Sequence, residues 1–170
     1  DVPTAFAEDY GQFKECLTAT KKHSKYWKKR YPTGQGQGNF LPVLQGGEEA
    51  WINEWDDFVS DDKYSGWAIA GKKKKNLYVV LKRLLKLIDQ NKLGDKLFWV
   101  HFLGVSDLTT ACMLTAMRNE FRELLGDNGF HISLDASNPF LLAGGFGQVY
   151  TGYKIKRSGL VMPTAKLEAR

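Results

Sequence analysis

The sequence predicts an α/β fold in which helices and parallel strands alternate. Four segments place apolar residues three or four positions apart, which is the spacing of an amphipathic helix. Each segment is followed by a short, dense apolar run without polar alternation, which is typical of strands covered on both faces. The helix–strand order therefore repeats four times and favours a parallel sheet with right-handed crossovers. A barrel and an open, doubly wound sheet both fit this order.

Helix boundaries follow from the apolar stripes and from capping residues. The first stripe consists of Phe6, Tyr10, Phe13 and Leu17. The next two helices are expected at about residues 48–60 and 76–91. The fourth starts after Ser106 or Asp107, either of which is a good N-cap, and glycine C-caps are expected at Gly94 and Gly126. The strands between the helices are expected at residues 40–44, 67–70, 97–105 and 130–134.

Length and composition place broad bounds on the protein. With 170 residues, of which 43% are hydrophobic, the chain suits one domain with a real core. No apolar run approaches the roughly 20 residues of a membrane helix, and no secretory signal is visible, so we expect a cytoplasmic protein without membrane contact. The start at Asp1 instead of Met suggests processing or a piece of something longer. Cys16 and Cys112 lack zinc-ligand and disulfide-framework spacing, so both are expected to be reduced.

The net charge of +5 suits a polyanionic partner such as nucleic acid. One group of cations, expected to be the solvated exterior of a helix, consists of Lys21, Lys22, Lys25, Lys28, Lys29 and Arg30. A second group follows a predicted strand and consists of Lys72, Lys73, Lys74 and Lys75. Cations are unfavourable at a helix N-terminus, so the second group favours a partner that neutralises it. The alternative is a solvated first turn.

Polar residues and glycines follow the predicted strands, at the sheet edge where parallel α/β folds bind ligands. These strand ends carry Gln45, Gly46, Gly47, Ala70, Gly71, Gly104 and Asp135. Asp135 is the sharpest catalytic candidate, because a carboxylate at the end of a buried strand is poorly solvated and needs a partner or a role. The alternative for Asp135 is a helix cap or a loop-fixing hydrogen bond. Gln45 could bind a ligand or satisfy loop backbone.

The histidines and the glycine-rich segment give weaker evidence of function. His101 and His131 fall within predicted strands and are expected to be structural, and the three histidines lack metal-ligand spacing, so no metal site is predicted. The glycine-rich segment 34–38 precedes a strand instead of following one, so we interpret it as a connector and not as a phosphate loop.

Several stretches, taken in order, resemble the tRNA-guanine (queuine/archaeosine) transglycosylase family. Residues 40–47 (FLPVLQGG) resemble the family's strand ending in V-Q-G-G, and residues 65–71 (SGWAIAG) resemble its G-[YF]-A-I-G-G. Residues 102–105 (FLGV) match its [LM]-x-G-V strand. Residues 134–139 (LDASNP) with 147–151 (GQVYT) resemble F-D-x-x-x-P…G-Q-[AV]-[FY]-T. The resemblance implies the C-terminal half of a (β/α)8 TIM-type barrel over residues 1–157, with a C-terminal tail over 158–170.

The resemblance also implies a chemistry, that of a pentosyltransferase. Asp135 would attack the anomeric carbon of a guanosine residue, displace guanine and form a covalent glycosyl–enzyme intermediate. A free 7-deazaguanine derivative, the co-substrate, would then take the sugar, without a metal or redox cofactor. Asp1, Gln45 and the backbone at Gly46, Gly47, Ala70 and Gly71 would bind the base, and Lys72, Lys73, Lys74 and Lys75 would hold nucleic-acid phosphates.

The sequence departs from the family pattern in three ways. The family's general acid/base aspartate would lie upstream of residue 1, so an N-terminal half-barrel or a second chain is needed. The family's zinc motif is absent. The arginines that follow the nucleophile in the tRNA enzymes are replaced by residues 139–145 (PFLLAGG), which contain no cation. The last departure favours DNA over tRNA and points to the DNA-modifying branch of phages and bacterial genomic islands, which would place the protein in the host cytoplasm.

Two other functions fit the sequence. The chain could be a non-catalytic, nucleic-acid-binding subunit of such an enzyme, although a silent copy need not keep Asp135 and Gln45. It could instead be half of an unrelated TIM-barrel enzyme whose glycines cradle a sugar phosphate. Exchange of labelled guanine into DNA or tRNA by the complete protein would distinguish an enzyme from the binding subunit. The second alternative predicts that small phosphorylated ligands, and not guanine or its deaza analogues, raise the melting temperature.

Overall fold

A computed structural model describes residues 3–4, 7–30, 41–59, 66–71, 73–93, 99–105, 107–126, 129–135 and 138–167. Asp1, Lys72, Gly94 and the connector 34–38 lie outside these residues. The first eight elements alternate as the sequence predicts. They are α1 (Tyr10–Arg30), β1 (Val43–Leu44), α2 (Glu49–Val59), β2 (Gly66–Ile69), α3 (Leu77–Asp89), β3 (Trp99–Phe102), α4 (Leu108–Leu125) and β4 (His131–Leu134).

The four strands form one parallel sheet in the order β1-β2-β3-β4. Strand order thus follows chain order, and each strand pairs with the next one along the sequence. One row of partners across the sheet is Val43, Ala68, His101 and Ser133. The next row is Leu44, Ile69, Phe102 and Leu134. A singly wound order of this kind is that of consecutive units in a barrel, whereas a doubly wound sheet reverses its order at a switch point.

The helices pack on one face of the sheet. Successive strand residues point to opposite faces, and the core cluster takes its strand residues from one face only. These are Leu44, Trp67, Ile69, Val100, Phe102 and, partly buried, Ile132. Side chains of α1, α2, α3 and α4 complete the same cluster, including Phe13, Trp55, Leu84 and Leu114. All four helices therefore cover this face.

The opposite face, here called the open face, carries no helix among the described elements. It presents Val43, Ala68, Trp99, His101, His131 and Ser133. Trp99 is 38% exposed and His131 is exposed. The sequence predicts strands covered on both faces. That prediction holds for β2, which is buried along its whole length, including Ala68 on the open face. It is wrong for β3 and β4, whose open-face residues Trp99 and His131 are exposed.

The ends of α3 and α4 show how local chemistry sets the boundaries. Asp107 caps α4 by accepting a hydrogen bond from the Thr110 amide at 2.8 Å, and Gly126 ends the helix with a φ of 62°. Both caps confirm the sequence prediction. The expected C-cap of α3 at Gly94 is wrong: the helix already ends at Asp89, and Asn91 adopts the left-handed conformation with a φ of 54°. Asparagine tolerates this conformation better than most residues.

A buried ion pair joins α2, α3 and the end of β1. Arg83 donates from Nε to Asp56 Oδ2 at 2.9 Å, and a second guanidinium nitrogen contacts Asp56 Oδ1. That nitrogen also donates to the Gln45 carbonyl oxygen at 3.1 Å. Burial raises the pKa of Asp56, and the hydrogen bonds from Arg83 act in the opposite direction. The guanidinium therefore satisfies two buried acceptors on different elements.

The first helix runs from the carboxyl edge of the sheet towards its amino edge. Ahead of α1, Thr4 bonds to Gln45 just beyond β1. Lys14 pairs with Glu54 of α2, and the Lys21 ammonium lies 4.7 Å from the centre of the Phe58 ring near the end of α2. The cations from residue 22 to residue 30 follow beyond that point, away from the carboxyl edge. This agrees with the expectation that they form a solvated helix exterior.

Residues 138–167 add elements that the sequence analysis does not predict. They are α5 (Asn138–Phe146), β5 (Gln148–Tyr150), β6 (Lys154–Lys156), β7 (Gly159–Val161) and β8 (Thr164–Lys166). β5 pairs with β8 and β6 with β7, both antiparallel. The expected boundary after residue 157 lies in the turn between β6 and β7, so the segment beyond it pairs back onto earlier strands. None of the described helices is long and apolar enough to cross a membrane.

Replacing Arg83 by methionine should lower the free energy of unfolding by about 3–5 kcal/mol, because Asp56 would stay buried without its partner. The matched control is Lys86→Gln, which removes the exposed pair with Asp57 between the same two helices. That change should cost less than about 1 kcal/mol. Urea denaturation followed by circular dichroism measures both. Equal losses for the two variants would contradict the structural role of the buried pair.

Asp107 provides a test of pH dependence. Burial alone would raise the pKa of Asp107, but hydrogen bonds from Thr110 and the Lys75 ammonium outweigh it and lower the pKa from 3.8 to about 2. A lowered carboxyl pKa stabilises the fold above pH 3.8, and this stabilisation is lost as the pH falls towards 2. Because the side chain is 41% exposed, the effect should stay below about 1 kcal/mol.

The Asp107→Asn variant should therefore keep the N-cap but show a weaker loss of stability between pH 4 and pH 2 than the unchanged protein. Asp107→Ala should lose about 1 kcal/mol at neutral pH as well, because the cap itself is removed. Urea titrations at several pH values separate the two effects. An asparagine variant with the acid sensitivity of the unchanged protein would contradict this assignment.

Candidate functional site

The register of the sheet brings Gln45, Ala70, Leu103 and Asp135 into one row at the carboxyl edge. Each follows directly after the partner row Leu44–Ile69–Phe102–Leu134. Backbone bonds continue the ladder into this row: Ala70 N donates to Leu44 O at 3.0 Å, Leu103 N to Ile69 O at 3.0 Å, and Asp135 N to Phe102 O at 3.3 Å. Three strand spacings separate Gln45 from Asp135, about 14 Å along the edge.

Three glycines stand one residue further along, again in register. Gly46, Gly71 and Gly104 have φ values of 125°, 86° and 64°. Side chains rarely adopt these conformations, so glycine is favoured at each position. A Cβ at Gly46 would also lie 2.9 Å from Cγ1 of Ile52. Gly46 is buried, Gly71 is partly exposed and Gly104 is exposed. A Cβ at Gly104 would lie 2.9 Å from the Lys74 ammonium.

Gln45 is held from both its main chain and its side chain. Its carbonyl accepts the Arg83 bond, and its Oε1 accepts bonds from the Thr4 amide at 3.0 Å and the Thr4 hydroxyl at 3.4 Å. Only 3% of the residue is exposed. Oε1 is thus committed to the segment before α1, and the amide group is fixed at the strand end in one orientation.

Asp135 ends β4, the last strand of the four-stranded sheet. Its Oδ1 accepts a hydrogen bond from the Gly104 amide at 2.8 Å, which ties it to the neighbouring strand end. The side chain is 56% exposed. The expectation of a poorly solvated carboxylate on a buried strand is therefore wrong within this chain, because β4 is an edge strand and its open face is uncovered.

The described lysines after β2 differ from one another in exposure and in their partners. Lys74 is half-buried, and its ammonium donates to the Leu103 carbonyl at 2.7 Å, beside the glycine that holds Asp135. Lys75 lies 3.0 Å from Asp107 at the start of α4. Lys73 is exposed. The structure thus places one of the expected phosphate contacts close to the carboxylate and ties another to a helix cap.

Sequence reasoning missed three residues of this site, which lie next to Asp135 on the open face. His101 Nδ1 lies 2.8 Å from Ser133 Oγ, and its Nε2 lies 3.5 Å from Asp135 Oδ1. Trp99 Nε1 donates to the same Ser133 oxygen at 2.7 Å. Strand alternation places residues 99 and 101 on one face of β3, and residues 133 and 135 on one face at the end of β4. That these two faces coincide depends on the register between the strands. The sequence predicts a structural role for His101, because this residue falls within a predicted strand.

These residues differ from a serine-nucleophile triad. In such a triad, the imidazole nitrogen that faces serine is Nε2, and Nδ1 faces the carboxylate. Here the two nitrogens are exchanged, and Trp99 occupies one lone pair of the serine oxygen. Asp135 is the more exposed of the two groups, and the arrangement around Ser133 is not that of a serine nucleophile.

Comparison with known protein families, curated proteins and solved structures finds no match for this chain. Among the described residues, no group of three or more histidine, cysteine or acidic side chains is placed to hold a metal ion.

The glycine row yields a matched test. Gly46→Ala should lower the free energy of unfolding by about 1–3 kcal/mol, because alanine is strained at this φ and its Cβ would press on Ile52. Gly47→Ala is the control: a Cβ there meets nothing within 4 Å, and the change should stay within about 0.5 kcal/mol. Thermal unfolding of both variants measures the two losses of stability. Similar losses at the two neighbouring positions would refute the requirement for bare backbone at Gly46.

Proposed function

We propose that this chain is the C-terminal half of a (β/α)8 barrel that exchanges guanine in a nucleic acid for a 7-deazaguanine derivative, with Asp135 as the nucleophile. The observation that carries the proposal is the common row of Gln45 and Asp135 at the carboxyl edge, beside the positive-φ glycines. The span of three strand spacings, about 14 Å, suits a nucleoside with a hydrogen bond at one end and a reacting carbon at the other.

The base would lie over the glycine row. None of the hydrogen bonds between described residues uses the Gly71 amide, which is therefore available as a donor to the guanine carbonyl oxygen. Gln45 stands next to it in a fixed orientation, and Ala70 leaves space beside it. Asp1, three residues before Thr4 in the sequence, is assigned to the ring N–H and the exocyclic amine of guanine, because a carboxylate accepts from both.

The reaction would proceed in two balanced displacements. A lone pair of Asp135 forms a bond to C1′ of the target nucleotide, and the bond from C1′ to guanine N9 breaks with its electron pair on the leaving base. A carboxylic acid of the N-terminal half-barrel protonates that base. N9 of the incoming deazaguanine then attacks C1′, loses its proton to the same carboxylate, and releases Asp135. The covalent intermediate splits one difficult exchange into two easier steps.

Two features of the fold support an incomplete barrel. The strand order follows the chain order, as it does in consecutive units of a barrel. The open face carries Trp99, His101, Ser133 and Asp135, which would line the interior of a closed barrel and make contact there with the remaining strands. The N-terminal half-barrel or second chain assigned to this role would both cover that face and supply the general acid.

The cationic residues favour a nucleic-acid substrate. Lys73 is exposed beside the carboxyl edge, and Lys74 stands next to Gly104, so phosphates of a flipped-out nucleotide would meet positive charge close to Asp135. The absence of cations in residues 139–145 continues to favour DNA over tRNA as the substrate. A cytoplasmic enzyme of phage or genomic-island origin fits this assignment.

The exchange of labelled guanine into DNA and into tRNA by the full-length protein tests the proposal. Asp135→Ala should abolish exchange and the formation of a covalent protein–nucleic acid adduct on denaturing gels. Asp57→Asn, an exposed carboxylate far from the edge, is the control and should leave both unchanged. Exchange that survives in Asp135→Ala would refute the nucleophile assignment.

The same protein preparations distinguish the transglycosylase from the two alternative functions. A non-catalytic binding subunit would retain nucleic-acid affinity without forming an adduct. Half of a phosphate-binding barrel would be stabilised against heat by small sugar phosphates but not by guanine or 7-deazaguanines.

A further inference from the structure

Three side chains on the open face form a hydrogen-bonded chain whose last member, His101, faces Asp135. Trp99 and His101 lie on β3, and Ser133 lies on β4 directly opposite His101 in the parallel register. The chain runs from the Trp99 indole to the Ser133 hydroxyl and on to the His101 imidazole, whose far nitrogen faces the carboxylate. The proposed reaction assigns no role to these three residues.

The groups at the two ends of the chain indicate the direction of each bond. An indole N–H is only a donor, so Ser133 Oγ accepts from Trp99. A carboxylate only accepts, so the His101 nitrogen that faces Asp135, Nε2, is the one suited to carry the proton of a neutral imidazole. Nδ1 then accepts from the serine hydroxyl. The donor-only indole and the acceptor-only carboxylate are thus both matched by one tautomer of His101.

The Gly104 amide and the His101 ring both approach the same oxygen of Asp135, Oδ1. The Gly104 amide donates to Oδ1 at 2.8 Å, and His101 Nε2 lies 3.5 Å from Oδ1. Such separations are often long in an empty site and shorten when the substrate binds. With Oδ1 held from β3, rotation of the carboxylate is restricted, and Oδ2 is the oxygen left to form a bond.

We propose that His101, oriented by Ser133 and Trp99, is the positioning residue of Asp135 and selects Oδ2 as the attacking atom. The catalytic meaning of this inference rests on the proposed function, whereas the orientation of the ring does not. His101 is 22% exposed and Trp99 lies on an uncovered face. Hydrogen bonds in such a place contribute little to folding, so variants here should remain folded.

The first experiment measures the tautomer directly. Long-range ¹H–¹⁵N spectra of the full-length protein, labelled with ¹⁵N-histidine, should show His101 with its proton on Nε2. His131→Gln serves as the control and identifies the signals, because His131 is exposed and adjacent on β4. Ser133→Ala should shift His101 towards a mixture of tautomers. A proton on Nδ1 in the unchanged protein, or an unaltered His101 signal in Ser133→Ala, would overturn the inference.

The second experiment uses two replacements of His101 that each keep one half of the ring's function. Glutamine places its amide nitrogen near the position of Nε2, whereas asparagine reaches only the position of Nδ1. His101→Asn should slow adduct formation at Asp135 on the order of 10- to 100-fold, the size of effect expected from a misplaced reacting group. His101→Gln should recover most of that rate, and KM for the free base should change little in both.

The outcomes separate the two proposals. Equal rates for the asparagine variant, the glutamine variant and the unchanged protein would overturn the positioning role. A protein that forms no adduct with any nucleic acid would sink the proposed function, and the tautomer spectra would then decide on the orientation of His101 by themselves.

Discussion

The buried guanidinium of Arg83 is the interaction on which the rest of the architecture depends. It neutralises Asp56 on α2 and, with the same nitrogen, holds the main-chain carbonyl of Gln45 where β1 ends. A strand of two residues has little pairing of its own to fix its end, so a bond from a neighbouring helix supplies the missing constraint. Apolar packing alone cannot do this, because it is non-directional and sets no hydrogen-bond geometry. The core thus determines the position of a residue at the candidate site.

A second constraint acts at the carboxyl edge, where the chain must turn sharply after three consecutive strands. Gly46, Gly71 and Gly104 permit those turns, and because the strands are in register, the turns lie side by side. Gly46 is buried, whereas Gly71 is partly exposed and Gly104 is exposed, so accessible main chain follows the second and third strands. Fold and site are therefore not independent here, because two of the glycines that the backbone needs also leave main chain accessible at this edge.

Much of the fold could be predicted from the sequence, and the features of the fold and the candidate site that were missed have physical causes. The alternation of helices and strands, the cap at Asp107 and the end of α4 at Gly126 follow from local chemistry. α5 was not predicted: it contains the paired glycines 144 and 145, which are poor helix formers, and Gly147, with a φ of 59°, follows its end. The alignment of Gln45 with Asp135 depends on register, which no local pattern specifies. His101 was set aside because its partners, Ser133 and Asp135, are more than 30 residues away in sequence.

Within the four-stranded sheet, each strand pairs only with its neighbours in sequence, which has a consequence for how this part of the chain folds. Each pair closes one helix-containing connection, such as that from Val43 to Ala68, and the entropic cost of closing a loop grows only slowly with its length. Assembly can then proceed by accretion, with every helix–strand unit adding its apolar face to the one already formed. A ribosome delivers such units in the order in which they pair. In the four described strands of the parallel sheet, synthesis and folding therefore advance in the same direction.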